Sequence, residues 1–163
     1  YHVEPGTNSR LDTLQAAILY QKLPHLAGWN ASRLEIATLY DKELEPLNPL
    51  GITPMENQSG DGHVYHLYVI RVDDQCPLQR EEIQEKLGSV GIQTGIHYPI
   101  PCHLQPAFKD LGYKVGDFPH SEKLAQQILS LPMYPGLTSS QVKEVVATIA
   151  SVVSERQYKL LHV

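Results

Sequence analysis

Two short stretches of this 163-residue chain combine side chains able to do chemistry with backbone able to hold them. The first is GTNSRLD, residues 6 to 12: a glycine turn, the amide of Asn8 and the guanidinium of Arg10 where a helix begins. Unpaired N–H groups at a helix N-terminus and the positive end of its dipole favour anions, so this segment could hold a phosphate or a carboxylate. The structural alternative is that Asn8 caps the helix and Arg10 is a solvated charge. The second stretch is IHYPIPCH, residues 96 to 103, which sets His97, Tyr98 and His103 around Pro99 and Pro101. Two prolines stiffen a loop, and rigid loops after strands are where sites are commonly built. There, His with Tyr can orient or protonate a substrate oxygen. The alternative is loop structure, with His97 satisfied by a backbone partner.

Other arrangements carry less. His63 and His66 lie three apart on what reads as a strand, hence on opposite faces, where one metal is not easily gripped by both. Tyr134, between prolines in LPMYPGLT, reads as a packing anchor rather than a pocket wall. The sequence holds no Gly-x-Ser-x-Gly elbow, no Gly-x-Gly-x-x-Gly and no Walker-type loop. No self-contained nucleophile, dinucleotide or nucleoside triphosphate site is visible.

The elements that must position these residues can be read from periodicity. From residue 8 or 9 to residue 23 the chain is apolar nearly all round. Leu11, Leu14 and Ile18 form one helical stripe and Ala16, Leu19 and Leu23 another, so the helix needs cover on two faces. In a chain this small, the second cover is expected from a missing domain or another subunit. Pro24 is expected to end that helix, and a second should run over residues 31–44 with Leu34, Ala37, Tyr40 and Leu44 buried. Residues 45–62 read as loop, and residues 63–72 as a central strand covered on both faces. A short helix is predicted over 78–87, with Pro77 in its first turn and Gly88 at its end, then a strand over 91–98 with one small, polar face. Short helices follow over 104–111 and 119–130, then an extended crossing at LSLPMYPG. A Thr138-x-x-Gln141 capping box opens a last helix with Val142, Val145, Val146, Ile149, Val152 and Val153 on one face. The sum is an α+β fold: a small antiparallel or mixed sheet of two to three strands packed with helices.

Composition narrows the function. With 42% hydrophobic and 19% charged residues, the chain fits one globular domain. Its net charge is −5 and its 13 lysines and arginines are scattered, so neither a nucleic acid nor a membrane surface is an expected partner. No apolar stretch approaches a membrane span or a signal sequence, which argues for a cytoplasmic protein. Cys76 and Cys102 suggest neither a disulfide framework nor a thiolate metal site. The chain begins at Tyr1, inside what looks like a loop entering a helix, and reads as part of something longer.

Four motifs in register, GTNSRLDTLQAAILYQKLPHL, HVYHLYVIRV, GIHYPIPCHLQPAFKDLGY and FPHSEKLAQQILSLPMYPGLT, closely resemble the C-terminal part of the DegT/DnrJ/EryC1/StrS aminotransferases. The resemblance covers nearly the whole chain. It implies the C-terminal small domain of a pyridoxal-phosphate enzyme of the aspartate aminotransferase fold, acting on a nucleotide-linked keto-deoxysugar. On that likeness residues 1–163 form a single small domain, and 1–24 are a helical arm packing on a missing large domain or a second subunit. Asn8 would reach the cofactor phosphate of the neighbouring subunit, Arg10 would lie near that shared site, and His97, Tyr98 and, less centrally, His103 would line the sugar-nucleotide side of the pocket.

The departure from the family pattern concerns the lysine that carries the cofactor, which in the family lies upstream of this segment. The eight lysines here, Lys22, Lys42, Lys86, Lys109, Lys114, Lys123, Lys143 and Lys159, all lie outside its context. That chemistry needs an amine to hold the cofactor and shuttle a proton. The chain alone is therefore not expected to transaminate or to bind pyridoxal phosphate covalently. In its parent a homodimer, the nucleotide sugar and an amino-acid donor are the implied partners. The competing expectation is a non-catalytic, truncated module that self-associates through its apolar first helix.

Overall fold

The computed structural model describes Gly6 and residues 10–161, and in it residues 10–12 are not helical; the first helix begins at Thr13. The Asp12 carboxylate accepts the Gln15 backbone N–H at 2.8 Å and so caps helix α1, Thr13–Lys22. Asn8 lies outside the described residues. Pro24 does end α1, but it sits in the first turn of a 3-10 segment, Leu23–His25, where a missing N–H costs nothing. Helix α2 therefore starts at once, Leu26–Leu44, rather than at residue 31. Its buried stripe is Ile36, Ala37, Tyr40 and Leu44; Leu34, expected in the core, is 49% exposed, since the fully buried part of α2 begins only at Ile36.

The stretch read as loop contains a 3-10 turn, Glu45–Leu50, and a strand, β1, Ile52–Pro54. Gly51 makes the entry to β1 possible. Its φ is +78°, and a Cβ there would stand 2.5 Å from the Cys76 backbone nitrogen. Strand β2, Tyr68–Val72, is shorter than the expected 63–72, since the chain before it folds around the His63 ring. The His63 Nδ1 accepts the Tyr65 N–H at 3.0 Å, and Tyr65 has φ +47°. The third strand, β3, is Ile128–Leu131, whose first three residues fall within the helix expected over 119–130. The sheet order is β1-β2-β3, antiparallel throughout, so β2 is central as expected. It is not covered equally on both faces, however. Tyr68, Ile70 and Val72 enter the core, while Val69 and Arg71 are half-buried on the opposite face.

Helix α3, Arg80–Ser89, leaves Pro77 outside it and Gly88 within its last turn, and the Glu82 carboxylate accepts the Gln79 N–H at 2.8 Å. The strand expected over 91–98 shrinks to one bridge, Gly95 with Ser130. Residues 102–111 form 3-10 turns, Cys102–Leu104 and Pro106–Leu111, in place of a helix. Helix α4, Pro119–Gln127, stops where β3 begins. Helix α5, Ser139–Leu161, opens with the expected box: the Gln141 side chain accepts the Thr138 N–H at 2.9 Å, and the Thr138 hydroxyl accepts the Gln141 N–H at 3.3 Å. Val142, Val145, Val146, Ile149 and Val153 are buried and Val152 partly so. The core joins α2, α3 and α5 on one sheet face. Tyr40 stacks on Tyr68 with centroids 4.6 Å apart, and their hydroxyls donate to the Pro132 carbonyl and the Asp41 carboxylate. Burial raises both phenol pKa values, so neither ring ionises in the folded protein. The architecture is α+β.

The junction between α4 and β3 is held by a buried cation. Arg80 is 7% exposed and its guanidinium donates to the carbonyls of Ala125 and Ile128. Its ion pair with Glu81, which is 61% exposed, contributes little. Replacing Arg80 with methionine keeps much of the volume but orphans two carbonyls, and urea denaturation should show a loss of about 2 kcal/mol.

Candidate functional site

The site is built on the bridge between Gly95 and Ser130, whose backbone groups exchange two hydrogen bonds of 2.7 and 3.0 Å. Ser130 lies on the sheet face opposite the core residues Leu129 and Leu131, and its side chain bonds His97 Nδ1 at 3.0 Å. A Cβ on Gly95 would meet the His97 Cε1 at 2.7 Å, so glycine leaves the space in which that ring lies. Tyr98 follows through a cis peptide bond, 59% exposed, with its ring edge-on to His97. Both rings line a cavity of about 500 Å³ with Ile100, Cys102, His103, Phe118, Leu124 and Ile128 among its other walls. Its walls are mostly apolar, with the polar atoms of two histidines and a tyrosine at fixed points, the pattern of a small-molecule site.

His103 is held differently. Its Nε2 lies 3.0 Å from the Glu122 carboxylate, its side chain is 8% exposed, and its ring packs on Phe118 at 4.8 Å. Glu122 also accepts the Gly116 N–H at 2.9 Å and the Phe118 N–H at 3.3 Å, so one carboxylate ties the 112–118 loop to the cavity rim. Burial raises the Glu122 pKa, but the hydrogen bonds from Gly116, His103 and Phe118 outweigh it and hold the group below its usual value of 4.5. A carboxyl whose folded pKa is lowered adds stability above its unfolded pKa and loses it as pH falls through the folded value. Unfolding midpoints measured from pH 6 to pH 3 should therefore fall less steeply in Glu122→Gln than in the unmodified chain, and the two should differ most above pH 4.5.

Of the residues singled out from sequence, the structure brings His97, Tyr98 and His103 to one cavity. Arg10 is exposed and takes no part in that lining. His63 and His66 are not gathered into a metal site; among the described residues no three histidine, cysteine or carboxylate side chains are arranged to hold one. Tyr134 is 47% exposed and walls a separate cavity beside Leu137, which corrects the expectation of a packing anchor. Ser130, Glu122 and Phe118 escaped the sequence reading. The available signal was Gly95, a glycine inside an apolar alternation, which marks a close approach by something else.

The first helix has the two apolar faces that its sequence implies, and α1 contains no buried residue. Leu14 is 72% exposed, Ile18 47% and Leu19 54%, and a groove of about 470 Å³ runs between Leu11, Leu19, Leu23, Leu26 and Trp29. No described helix is long and apolar enough to cross a membrane.

The sequence profile of the DegT/DnrJ/EryC1/StrS aminotransferase family matches residues 1–150. The chain belongs to this family. It is 46% identical over 151 residues to the "Pleiotropic regulatory protein" of Geobacillus stearothermophilus, covering 92% of this chain and 39% of that protein. It is also 38% identical over 148 residues to the dTDP-3-amino-3,4,6-trideoxy-alpha-D-glucose transaminase of Streptomyces venezuelae, covering 91% of this chain and 37% of that one. Among solved structures, S. venezuelae DesV in complex with a ketimine intermediate superposes with a TM-score of 0.78 at 35% identity, over 94% of this chain and 39% of DesV. The chain thus spans about two fifths of the length of these family members.

Family membership raises the question of pyridoxal phosphate. Attachment of that cofactor needs a lysine amine, and the lining of the His97 cavity includes none. The lysine of α4, Lys123, turns outward to Asp74 at 2.9 Å and is 61% exposed. The described residues therefore do not fit covalent attachment of the cofactor at this cavity.

Proposed function

We propose that this chain is the C-terminal, small-domain part of a pyridoxal-phosphate aminotransferase that aminates a nucleotide-linked keto-deoxysugar. The observation that carries the proposal is the single cavity on which His97 and Tyr98 converge, lined without a lysine and walled in part by Ile128 at the start of β3. A cavity of about 500 Å³ suits a sugar or a nucleotide. Residues 1–163 then form one small domain whose arm, 1–24, packs on a large domain or a second copy in a cytoplasmic homodimer. Asn8 contacts the cofactor phosphate across that interface and Arg10 lies beside it. His97 and Tyr98 contact the sugar nucleotide, and His103, fixed by Glu122, shapes the rim. When bound, pyridoxal phosphate supplies the electron sink for moving an amino group from an amino-acid donor to the keto carbon. This chain binds and orients the sugar and excludes water from that exchange.

The S. venezuelae relative, named for a dTDP-linked aminosugar, supports this substrate class. The complete gene product carrying this segment, given pyridoxal phosphate, an amino-acid donor and dTDP-linked keto-deoxysugars, should release an aminosugar nucleotide detectable by mass spectrometry; no amination with any of them counts against the reading. The 163-residue chain alone, titrated with pyridoxal phosphate, should show no saturable, stoichiometric change in cofactor absorbance. A one-to-one endpoint would overturn the division of labour. The exposed face of α1 also suits the alternative of a non-catalytic self-associating module, which predicts the same oligomer but no amination by any complete gene product.

A further inference from the structure

We infer that Ser130 is a positioning residue that fixes the tautomer of His97, so that the imidazole presents Nε2–H to the cavity as a hydrogen-bond donor. The inference deepens the proposed function, resting on His97 as part of the substrate wall, and concerns what that ring can do there.

The contact between Ser130 Oγ and His97 Nδ1 is 3.0 Å, and by distance alone either atom could be the donor. Burial decides between them. Ser130 is 5% exposed, and among the described residues its hydroxyl has no hydrogen-bond partner besides this ring. Were Nδ1 protonated and donating, the hydroxyl would accept, and its own proton would be left in the interior with no acceptor. When the hydroxyl donates to Nδ1, both the buried hydroxyl proton and the Nδ1 lone pair are used, and Nε2 is left to the cavity. The neutral ring then carries its proton on Nε2, as the hydrogen bond made at one nitrogen determines the state of the other.

The geometry also limits where the ring can go. Ser130 is pinned to Gly95 by two backbone hydrogen bonds, two residues before His97, so the hydroxyl and the ring are attached to the same bridge. The ring occupies the space of the absent Gly95 side chain, with Cε1 2.7 Å, Nδ1 3.4 Å and Nε2 3.5 Å from where a Cβ would be. A ring held by a hydroxyl on one side and laid against a glycine is presented in one orientation.

The chemical consequence is specific. A neutral imidazole with Nε2 protonated can donate to a diphosphate, hydroxyl or carbonyl oxygen but cannot take a proton at Nε2. His97 therefore holds a substrate oxygen, and proton abstraction falls to another group.

The test is the imidazole region of a long-range ¹H–¹⁵N spectrum of the uniformly labelled 163-residue chain at a pH where His97 is neutral, with His97 assigned from its loss in His97→Gln. The expected pattern is the Nε2-protonated tautomer, retained in Ser130→Thr and replaced by a tautomer mixture in Ser130→Ala. An Nδ1-protonated pattern in the unmodified chain overturns the inference, as does a Ser130→Ala spectrum unchanged at His97. The proposed function is judged separately. If the complete gene product aminates no sugar nucleotide, the substrate assignment fails while the tautomer result stands.

Discussion

Replacing Leu14, Ile18 and Leu19 together with glutamate is expected to hold the chain as a monomer, whereas the unmodified chain self-associates. These three side chains are among the most accessible apolar groups of α1 and belong to both of its apolar stripes. Full burial of one such side chain is worth roughly 1.5–3 kcal/mol, so losing three weakens association by at least about 10³-fold before any cost of burying a carboxylate is counted. Sedimentation velocity across a concentration series reads this directly. The substitutions leave the interior alone, because the core lies in the second half of α2, in α3, α5 and the sheet. The triple variant should therefore still unfold cooperatively, at a midpoint that no longer depends on protein concentration and lies below that of the self-associated chain by the lost association free energy. Ten residues make a marginal helix in water, and α1 has no buried residue to support it, so the variant should also lose helical circular dichroism in proportion to α1. An unmodified chain that sediments as a monomer at all concentrations would leave the α1 face to a large domain instead of a second copy.

How much of this was legible in the sequence depends on how locally each feature is specified. Helix α5 was, because its capping box and its apolar positions lie within one continuous run. The place of β2 at the centre of the sheet was also legible, since Tyr68, Ile70 and Val72 are β-branched or aromatic at period two. Its second face was misread because Leu67 and Val69 are apolar as well, and apolarity alone does not say what covers a residue. Strand β3 was hidden at the end of a helical pattern. What stops α4 at Gln127 is the guanidinium of Arg80, on a different helix, taking the carbonyls of Ala125 and Ile128. The site divides in the same way. His97 and Tyr98 announce themselves by type beside two prolines. Ser130 looks like an ordinary strand residue in ILSL, and only the pairing with Gly95 brings it to the ring. Glu122 looks like a helix-surface charge until the 112–118 loop folds onto it.

In the aminotransferase proposed above, His97→Asp is expected to lower kcat/KM for the sugar nucleotide by roughly 10³-fold, and His97→Gln by about tenfold. A neutral donor facing an anionic diphosphate is worth about 1.5–3 kcal/mol, which aspartate forfeits entirely and the glutamine amide partly replaces. Aspartate adds repulsion: two like charges about 4 Å apart at an effective dielectric near 20 repel by up to about 4 kcal/mol, an upper bound that solvent at this exposed residue reduces. Together the two effects come to about 4 kcal/mol, or three decades in rate. Because the Nε2–H group touches the nucleotide-sugar oxygens before and during the reaction alike, the loss should appear in KM with kcat nearly constant. That split separates a binding donor from an acid or base at the reacting carbon. Were kcat to collapse at an unchanged KM, His97 would have to act on the carbon that receives the amine. The ring would then need a free nitrogen to accept a proton, which the hydroxyl of Ser130 and the Nε2-protonated tautomer deny it.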